Sequence, residues 1–192
     1  MNFWRNHKKA IIILLVLVAI PAAIIWAATT TINYGTHTAL TITHLNSLAS
    51  SQTAGWQSAG INNTSTAATD YEISIKLTMA DTAPANDKAV YVYVCPAYYD
   101  GSTWYYSDGG TTTLPSGTEG TYTIALPNDL VLVAVLNYTA QKMVLQKTFT
   151  IGAALGYVIP DGFSIIIINY TGAAIAATGN MVAYKAIKTN IS

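Results

Sequence analysis

The feature of this chain that most constrains its fold is a strict alternation of apolar and polar residues between Tyr71 and Met79. Successive side chains of a β-strand point to opposite faces, so the alternation predicts a strand with one face on a core and the other in water. The residues predicted to face the core are Tyr71, Ile73, Ile75, Leu77 and Met79, and those predicted to face water are Glu72, Ser74, Lys76 and Thr78. Beyond Thr29, no window keeps a helical period over twelve or more residues, so strands dominate the prediction.

Three further segments predict strands because they are short, rich in β-branched or aromatic residues and bounded by turn residues. They are Ala89–Cys95, Leu130–Tyr138 and Phe163–Tyr170. The first is apolar on both faces, which is typical of a central strand between two layers. Weaker strands are predicted at Thr38–His44, Thr103–Ser107, Thr121–Ala125, Lys147–Ile151 and Met181–Lys188.

Turn-forming residues separate these segments and no helix is predicted among them, which indicates an all-β fold. We predict that residues 36–192 form a single antiparallel β-sandwich of the jelly-roll type, with an immunoglobulin-like sandwich as the alternative. The chain is 52% hydrophobic and contains 13 Tyr and 4 Trp, so it has enough apolar material to build such a core.

A second feature is an uncharged run of 19 residues at positions 10–28. A helix of that length rises about 28 Å, close to the hydrocarbon thickness of a bilayer. The run therefore predicts a transmembrane helix, preceded by a basic tail at residues 1–9 and followed by a tether at residues 29–35. Because the basic residues precede the helix, the positive-inside rule places the C-terminal domain outside. The residues predicted to anchor the chain in lipid are Ala10, Ile11, Leu14, Leu17, Pro21, Ile24 and Trp26.

Two alternatives for this run remain open. A cleaved signal peptide would have a similar charge and hydrophobicity profile, but cleavage after Ala28 would put Trp26 where a small residue is preferred. A prepilin-type processing site at residues 8–10 would instead place the hydrophobic run inside a filament. The helical pattern stops at Thr29, whereas pilin helices usually continue into an amphipathic half.

Charge is scarce in this chain and unevenly placed. Only 9% of the residues are charged, and the nine basic and nine acidic side chains cancel. Arg5, Lys8 and Lys9 precede the uncharged run, which leaves six basic and nine acidic residues, a net −3, for the rest of the chain. A protein that binds nucleic acid electrostatically needs clustered Lys and Arg at the phosphates, so this class of function is excluded.

Residues with catalytic or metal-binding potential form no convincing set. His37 and His44 are seven residues apart, so on one strand they would point to opposite faces and would not share a metal. Residues 55–60 depart from the nucleophile-elbow spacing around Ser58 and are interpreted as a turn. Cys95 is the one cysteine and lies in an apolar run, as a buried small residue would. We therefore predict a protein that is not an enzyme and that holds no cofactor or metal.

The most distinctive local feature is a cluster of five aromatic residues around an Asp-Gly turn, which predicts a β-hairpin. The five are Tyr98, Tyr99, Trp104, Tyr105 and Tyr106. One interpretation is an exposed contact loop, because Tyr and Trp offer large, stiff contact area beside adaptable Ser, Gly and Thr. The other is cross-strand aromatic packing that stabilises the hairpin itself.

Three stretches carry a resemblance to a known family. They are Ser47-Leu-Ala-Ser-Ser-Gln-Thr-Ala-Gly-Trp-Gln-Ser58, then Lys88-Ala-Val-Tyr-Val-Tyr-Val94 leading into Tyr99-Asp-Gly-Ser-Thr103, and last the segment from Val158 to Asn180. In this order and at these distances they resemble a family of small β-sandwich virion proteins of bacterial viruses, found among head and decoration components. The resemblance covers roughly Leu40 to Tyr184 and implies a structural role without catalytic residues.

The family's members begin directly with the sandwich, whereas this chain begins with a hydrophobic run. The combination predicts a non-enzymatic virion structural or surface protein, located in a virion or cell-surface membrane. Its predicted partners are membrane lipid, copies of itself and capsid proteins. Two alternatives stay open: a cellular surface filament subunit of the pilin or donor-strand type, and an adhesin that binds a glycan through the aromatic hairpin.

Overall fold

The computed structural model of the protein describes residues 29–107, 118–123, 130–156 and 158–191, and most of them lie in β-strands. The strands of this part of the chain are β1 (Thr30–Tyr34), β2 (Thr38–Ala39), β3 (Ala54–Gln57), β4 (Ile61–Asn62), β5 (Asp70–Thr78), β6 (Ala89–Tyr99), β7 (Trp104–Tyr106), β8 (Gly120–Thr123), β9 (Val131–Asn137), β10 (Val144–Thr150), β11 (Gly162–Tyr170) and β12 (Met181–Ile191). A short helix, α1 (Ile151–Leu155), connects β10 to β11.

The strands form two sheets. One has five strands in the order β1-β12-β5-β10, with β2 also paired to β12. The other has seven strands in the order β7-β6-β11-β3-β8, with β4 paired to β11 and β9 paired to β6. The prediction of an all-β, antiparallel two-sheet architecture is confirmed. The described chain divides into two compact units, residues 29–33 with 189–191 and residues 34–188, and the second contains the hairpin and the buried carboxylate described below.

The alternating segment forms β5, as predicted. Its burial alternates residue by residue, with Tyr71, Ile73, Ile75 and Leu77 buried and the intervening residues partly exposed. The strand is central in its sheet because β10 pairs along one edge and β12 along the other, so that Ile75 lies opposite both Lys147 and Val182. The apolar face of β5 therefore contributes directly to the core.

The central pair of the seven-stranded sheet is β6 and β11. The two strands pair in unbroken antiparallel register from Gly162 opposite Ala97 to Tyr170 opposite Ala89. Eight of the nine residues of β11 are buried, so both faces of this strand are covered. This confirms the two predicted strands, and it explains why their sequences are apolar without alternation.

The main core lies between the two sheets. It combines side chains from the five-stranded sheet, such as Ile73 and Leu77, with side chains from the seven-stranded sheet, such as Val92 and Ile165. A second, smaller apolar cluster lies on the other face of the seven-stranded sheet and includes Ile166. This outer cluster gives the seven-stranded sheet apolar groups on both of its faces.

Residues 55–60, interpreted from the sequence as a turn, contain most of β3, so that interpretation is wrong. Trp56 is completely buried, and it pairs with Ile167 on one side and Thr121 on the other. A Cβ at position 55 would lie 2.4 Å from the carbonyl oxygen of Ile167, so glycine is required where these two strands approach. The glycine that looked like turn chemistry is a consequence of close strand packing.

Helix α1 corrects a second prediction, that no helix lies among the strands. The predicted strand Lys147–Ile151 ends at Thr150, and Ile151 begins the helix. The Asp70 carboxylate accepts a hydrogen bond from the backbone N–H of Gly152 at 2.9 Å, which satisfies one of the free donors of the first turn. The helix stops at Gly156, which adopts the left-handed conformation with φ of 68°.

Several predicted boundaries also change: β6 extends beyond the predicted Cys95 to Tyr99, and β12 extends beyond the predicted Lys188 to Ile191. The strand predicted at Thr38–His44 is reduced to Thr38–Ala39, because residues 43–47 form a turn. The strand predicted at Thr121–Ala125 is described as Gly120–Thr123, and residues 124–125 lie outside the described part. The predicted tether at residues 29–35 contains β1.

The part of the chain that the structure describes contains no helix with the length and hydrophobicity needed to cross a membrane. The helix predicted over residues 10–28, with all its anchor residues, lies outside the described part.

Candidate functional site

The aromatic hairpin is formed by the end of β6 and by β7, which pair in antiparallel register. The Asp100 carboxylate organises the turn, since its Oδ1 atom accepts hydrogen bonds from the backbone N–H groups of Thr103 at 2.8 Å and Ser102 at 2.9 Å. These bonds to the charged form lower the pKa of Asp100. Gly101 has φ of 99°, a conformation that residues with a side chain rarely adopt, so the Asp-Gly pair accounts for the turn.

The five aromatic side chains divide between two roles. Tyr99 and Trp104 face each other in register, and their rings stack with centroids 4.7 Å apart. Trp104 and Tyr106 are buried in the outer cluster. Tyr98 and Tyr105 form the adjacent cross-strand pair, and they are 61% and 45% exposed. The packing interpretation therefore describes three of the rings, and the contact interpretation depends on the exposed pair.

An open groove of about 320 Å³ lies beside this exposed pair. Its lining is aromatic, proline-rich and uncharged, and consists of Pro96, Ala97, Tyr98, Tyr105, Tyr106, Ser107 and Pro160. Val158, two residues before Pro160, is 85% exposed. Proline and tyrosine lose little conformational entropy when a partner covers them, because each has few rotatable bonds. We refer to Tyr98, Tyr105 and this groove as the hairpin groove.

The start of β11 holds the hairpin in position. The Asp161 carboxylate accepts a hydrogen bond from the backbone N–H of Tyr99 at 3.0 Å. Gly162 lies directly beneath the Trp104 ring, where an added Cβ would come within 2.8 Å of the ring. The hairpin groove is therefore fixed by two contacts to a buried central strand.

The described residues also contain one buried carboxylate, Glu119, which the sequence did not single out. Its side chain accepts hydrogen bonds from Trp56 Nε1 at 2.5 Å and from His44 Nδ1 at 2.9 Å, and both its oxygens lie 3.2 Å from the backbone nitrogen of His44. Burial alone would raise the pKa of Glu119, but the hydrogen bonds from His44 and Trp56 outweigh it and lower that pKa. Glu119 is 75 residues from His44 in sequence, so no local pattern could have predicted the cluster.

The other residues that the sequence offered as catalytic or metal-binding candidates either lie away from the Glu119 cluster or are buried and hydrogen-bonded within the fold. His37 lies 3.6 Å from Glu72, far from the Glu119 cluster in the sheet order, because β5 belongs to the other sheet. Ser58 donates its hydroxyl to the Ala59 carbonyl and accepts from the backbone N–H of Ile165. Cys95 is completely buried.

Within the described ranges, no three side chains among His, Cys, Asp and Glu are grouped to hold a metal ion. The arrangement that these residues do provide is a rigid, uncharged, aromatic groove on the surface. Its chemistry suits contact with another apolar surface.

A scan against protein-family models and searches of curated proteins and of solved structures find no match for this chain. The resemblance to virion β-sandwich proteins stays a prediction.

Proposed function

We propose that this protein is a non-enzymatic structural component of a virion, anchored in a viral or host membrane by residues 10–28. Its β-sandwich lies outside that membrane and assembles with copies of itself or with capsid proteins. The observation that carries the proposal is the pair Tyr98 and Tyr105, opposite each other in register, exposed, and held rigidly beside an uncharged groove.

The energetics of this pair favour a symmetric contact between two copies, in which both pairs are buried. A tyrosine offers about 150–250 Å² of surface, and covering the exposed half at about 25 cal/mol per Å² contributes about 2–3 kcal/mol. The pair in one copy therefore contributes about 5 kcal/mol, while association costs about 4–15 kcal/mol. A symmetric contact that buries the pairs of both copies reaches about 10 kcal/mol, which exceeds the lower part of that range, so a contact between identical copies offsets more of the cost than a contact that buries one pair.

The scarcity of charge also supports assembly. Nine basic and nine acidic residues in 192 leave few charges to desolvate when identical copies pack together. Among the residues that the structure describes, no charged side chain lines the hairpin groove. Burying it therefore removes apolar surface from water without leaving an unpaired ion, which is typical of the central part of protein interfaces.

The connectivity of the strands supports the jelly-roll form of the sandwich. In chain order, β5 belongs to the five-stranded sheet, β6 to β9 to the seven-stranded sheet, β10 to the first, β11 to the second and β12 to the first. Jelly rolls and other Greek-key sandwiches have this repeated crossing between sheets. Such domains are common building blocks of viral capsids.

Immunogold electron microscopy of cultures of the source organism separates the proposed function from its main alternative. An antibody against the whole chain should label virus particles, with many gold grains on each particle. Labelling of cell-attached filaments with unlabelled particles would contradict the virion proposal and favour the filament subunit.

Flotation of the full-length protein with liposomes tests the anchor separately. We expect the protein to float with the vesicles and to stay there after a carbonate wash, because a spanning helix is not held by charge. A variant with Ile11, Leu14 and Leu17 changed to Ser should remain at the bottom of the gradient. Wild-type protein that stays at the bottom would contradict the anchor.

A further inference from the structure

The outer face of the seven-stranded sheet carries a second group of tyrosines, distinct from the hairpin groove. Val90, Val92 and Val94 of β6 point into the main core, so the residues between them, Tyr91 and Tyr93, project from the opposite face. Tyr98 is seven residues from Tyr91, an odd spacing that puts it on the other face of β6. The exposed pair of the hairpin, Tyr98 and Tyr105, therefore does not share a face with Tyr91 and Tyr93.

A shallow depression of about 190 Å³ lies at this second group. It is lined by Gln52, Asp87, Tyr91, Tyr93, Ile168 and Tyr170. Ile168 is buried and forms an apolar floor, and the three tyrosines are half-buried around it. Tyr91 lies directly opposite Ile168 in the β6–β11 register, so the position of these groups is set by the two central strands.

The polar groups of the depression are already oriented by hydrogen bonds. The Tyr91 hydroxyl donates to Asp87 Oδ2 at 3.1 Å, and the Gln52 amide donates to the Tyr170 hydroxyl. A carboxylate accepts about four hydrogen bonds and an amide donates two and accepts two, so each group keeps capacity for a ligand. Burial and the neighbouring Asp87 raise the pKa of Tyr91, which keeps its hydroxyl protonated as a donor at neutral pH.

We propose that this depression binds one ring of a neutral saccharide. A pyranose has an apolar face of C–H groups, which stacks on an aromatic ring, and a rim of hydroxyls that both donate and accept hydrogen bonds. The tyrosine rings and Ile168 supply the apolar surface, while Asp87, Gln52 and the phenol hydroxyls supply partners for the rim.

The size and openness of the depression favour the binding of one sugar ring that belongs to a longer polysaccharide. Pockets that enclose drug-sized ligands hold about 300–1,000 Å³, and this one is smaller. Tyr91 and Tyr93 project from the same face of one strand, about 7 Å apart at a rise of about 3.4 Å per residue. They form a flat row along the strand, on which neighbouring sugars of an extended polymer can stack.

The same row argues against an organic cation as the ligand. A quaternary ammonium group is held by rings that surround it, and it has no hydrogen atoms on nitrogen to donate to Asp87 or Gln52. Tyr91 and Tyr93 of β6 and Tyr170 of β11 line a shallow depression on one sheet face, so they supply an open platform instead of an enclosure. The hydrogen-bonding groups of Gln52 and of the tyrosine hydroxyls would then have no partner on the ligand.

The test uses the full-length protein in a polyoxyethylene alkyl ether detergent, which carries no sugar. Fluorescently labelled protein is applied to an array of neutral glucan, chitin and mannan oligosaccharides, and the best binder is titrated by calorimetry. We expect Tyr93→Ser to weaken binding about tenfold or more, which corresponds to about 1.4 kcal/mol. Asp87→Asn, in an exposed loop where folding is not at risk, should weaken it several-fold.

Two controls keep the result specific. Tyr98→Ser, on the opposite face of β6, should bind sugar as the wild type does, whatever it does to assembly. Choline chloride should not compete. The proposal is overturned if the wild type binds no neutral oligosaccharide, if Asp87→Asn and folded Tyr93→Ser bind undiminished, or if choline displaces the sugar.

Discussion

The two sheets differ on the faces that point away from the main core. On β5, in the five-stranded sheet, this face carries partly exposed Glu72, Ser74, Lys76 and Thr78. On β6 and β11, in the seven-stranded sheet, it carries tyrosines and isoleucines. The first surface faces solvent with polar side chains, whereas on the second surface the isoleucines are buried in the outer cluster and the tyrosines Tyr91 and Tyr93 are partly exposed. Both proposed recognition surfaces, the hairpin groove and the tyrosine depression, belong to the seven-stranded sheet.

The largest effect should come from β11, the strand that is buried on both faces. Ile166→Ala removes a completely buried side chain from the outer cluster and should lower the free energy of unfolding by about 2–5 kcal/mol. Ser74→Ala, on the solvent-facing side of β5, should change the free energy of unfolding by less than about 0.5 kcal/mol. Urea unfolding of the full-length protein in detergent, followed by tryptophan fluorescence, measures both. Equal losses for the two variants would contradict the contrast between the sheets.

The next effect concerns the buried carboxylate. Glu119→Gln should cost about 1–3 kcal/mol at neutral pH, because one of the donors His44 and Trp56 then loses its acceptor inside the protein. Glu119 is 7% exposed, so water cannot replace the lost bond. The same unfolding measurement applies, and Trp56 lies at the site to report on it.

The pH dependence of this effect has a definite sign. The folded pKa of Glu119 is lowered, so the ionised carboxylate stabilises the fold above the unfolded pKa of about 4.3. That contribution is lost as the pH falls through the folded pKa. The difference in stability between wild type and Glu119→Gln should therefore be widest near neutral pH and shrink in acid. A difference that grows in acid would show that the carboxylate is not stabilised in its charged form.

The smallest effect is expected at Glu72, the partly exposed carboxylate of the five-stranded sheet. Hydrogen bonding to Lys185 chiefly lowers its pKa, and the two side chains lie 2.9 Å apart. Glu72→Gln should cost less than about 1 kcal/mol, because solvent screens such a pair. High salt should reduce the cost further, whereas the cost of Glu119→Gln should hardly respond to salt. A loss of stability for Glu72→Gln as large as that for Glu119→Gln would contradict the distinction between the solvent-exposed and the buried carboxylate.

Patterns that depend on near neighbours in the chain could be predicted. The alternation of β5, the unbroken apolar run of β11 and the Asp100-Gly101 turn each indicated the element that the structure contains. These signals are local because side-chain period and turn conformation are properties of a few consecutive residues.

Features set by distant residues could not be predicted. The strand β3 was not predicted because Gly55 is typical of a turn. In the structure, the absence of a side chain at Gly55 lets β3 approach the backbone of Ile167. Helix α1 begins where Asp70, 82 residues earlier, supplies an acceptor for Gly152. The Glu119 cluster joins three parts of the chain. The sequence predicted a hairpin that carries five aromatic residues. It did not predict which of the five are exposed, and the structure shows that these are the paired residues Tyr98 and Tyr105.

The exposed pair is the centre of the account, and sedimentation velocity of the full-length protein in a density-matched detergent tests it most directly. The wild type should form discrete oligomers that grow with protein concentration. The double variant Tyr98→Ser/Tyr105→Ser should sediment as a monomer at every concentration. Tyr34→Ser, which removes a tyrosine that is equally exposed at 62% but lies outside the hairpin, should sediment like the wild type. A monomeric wild type, or a double variant that assembles as the wild type does, would contradict the account.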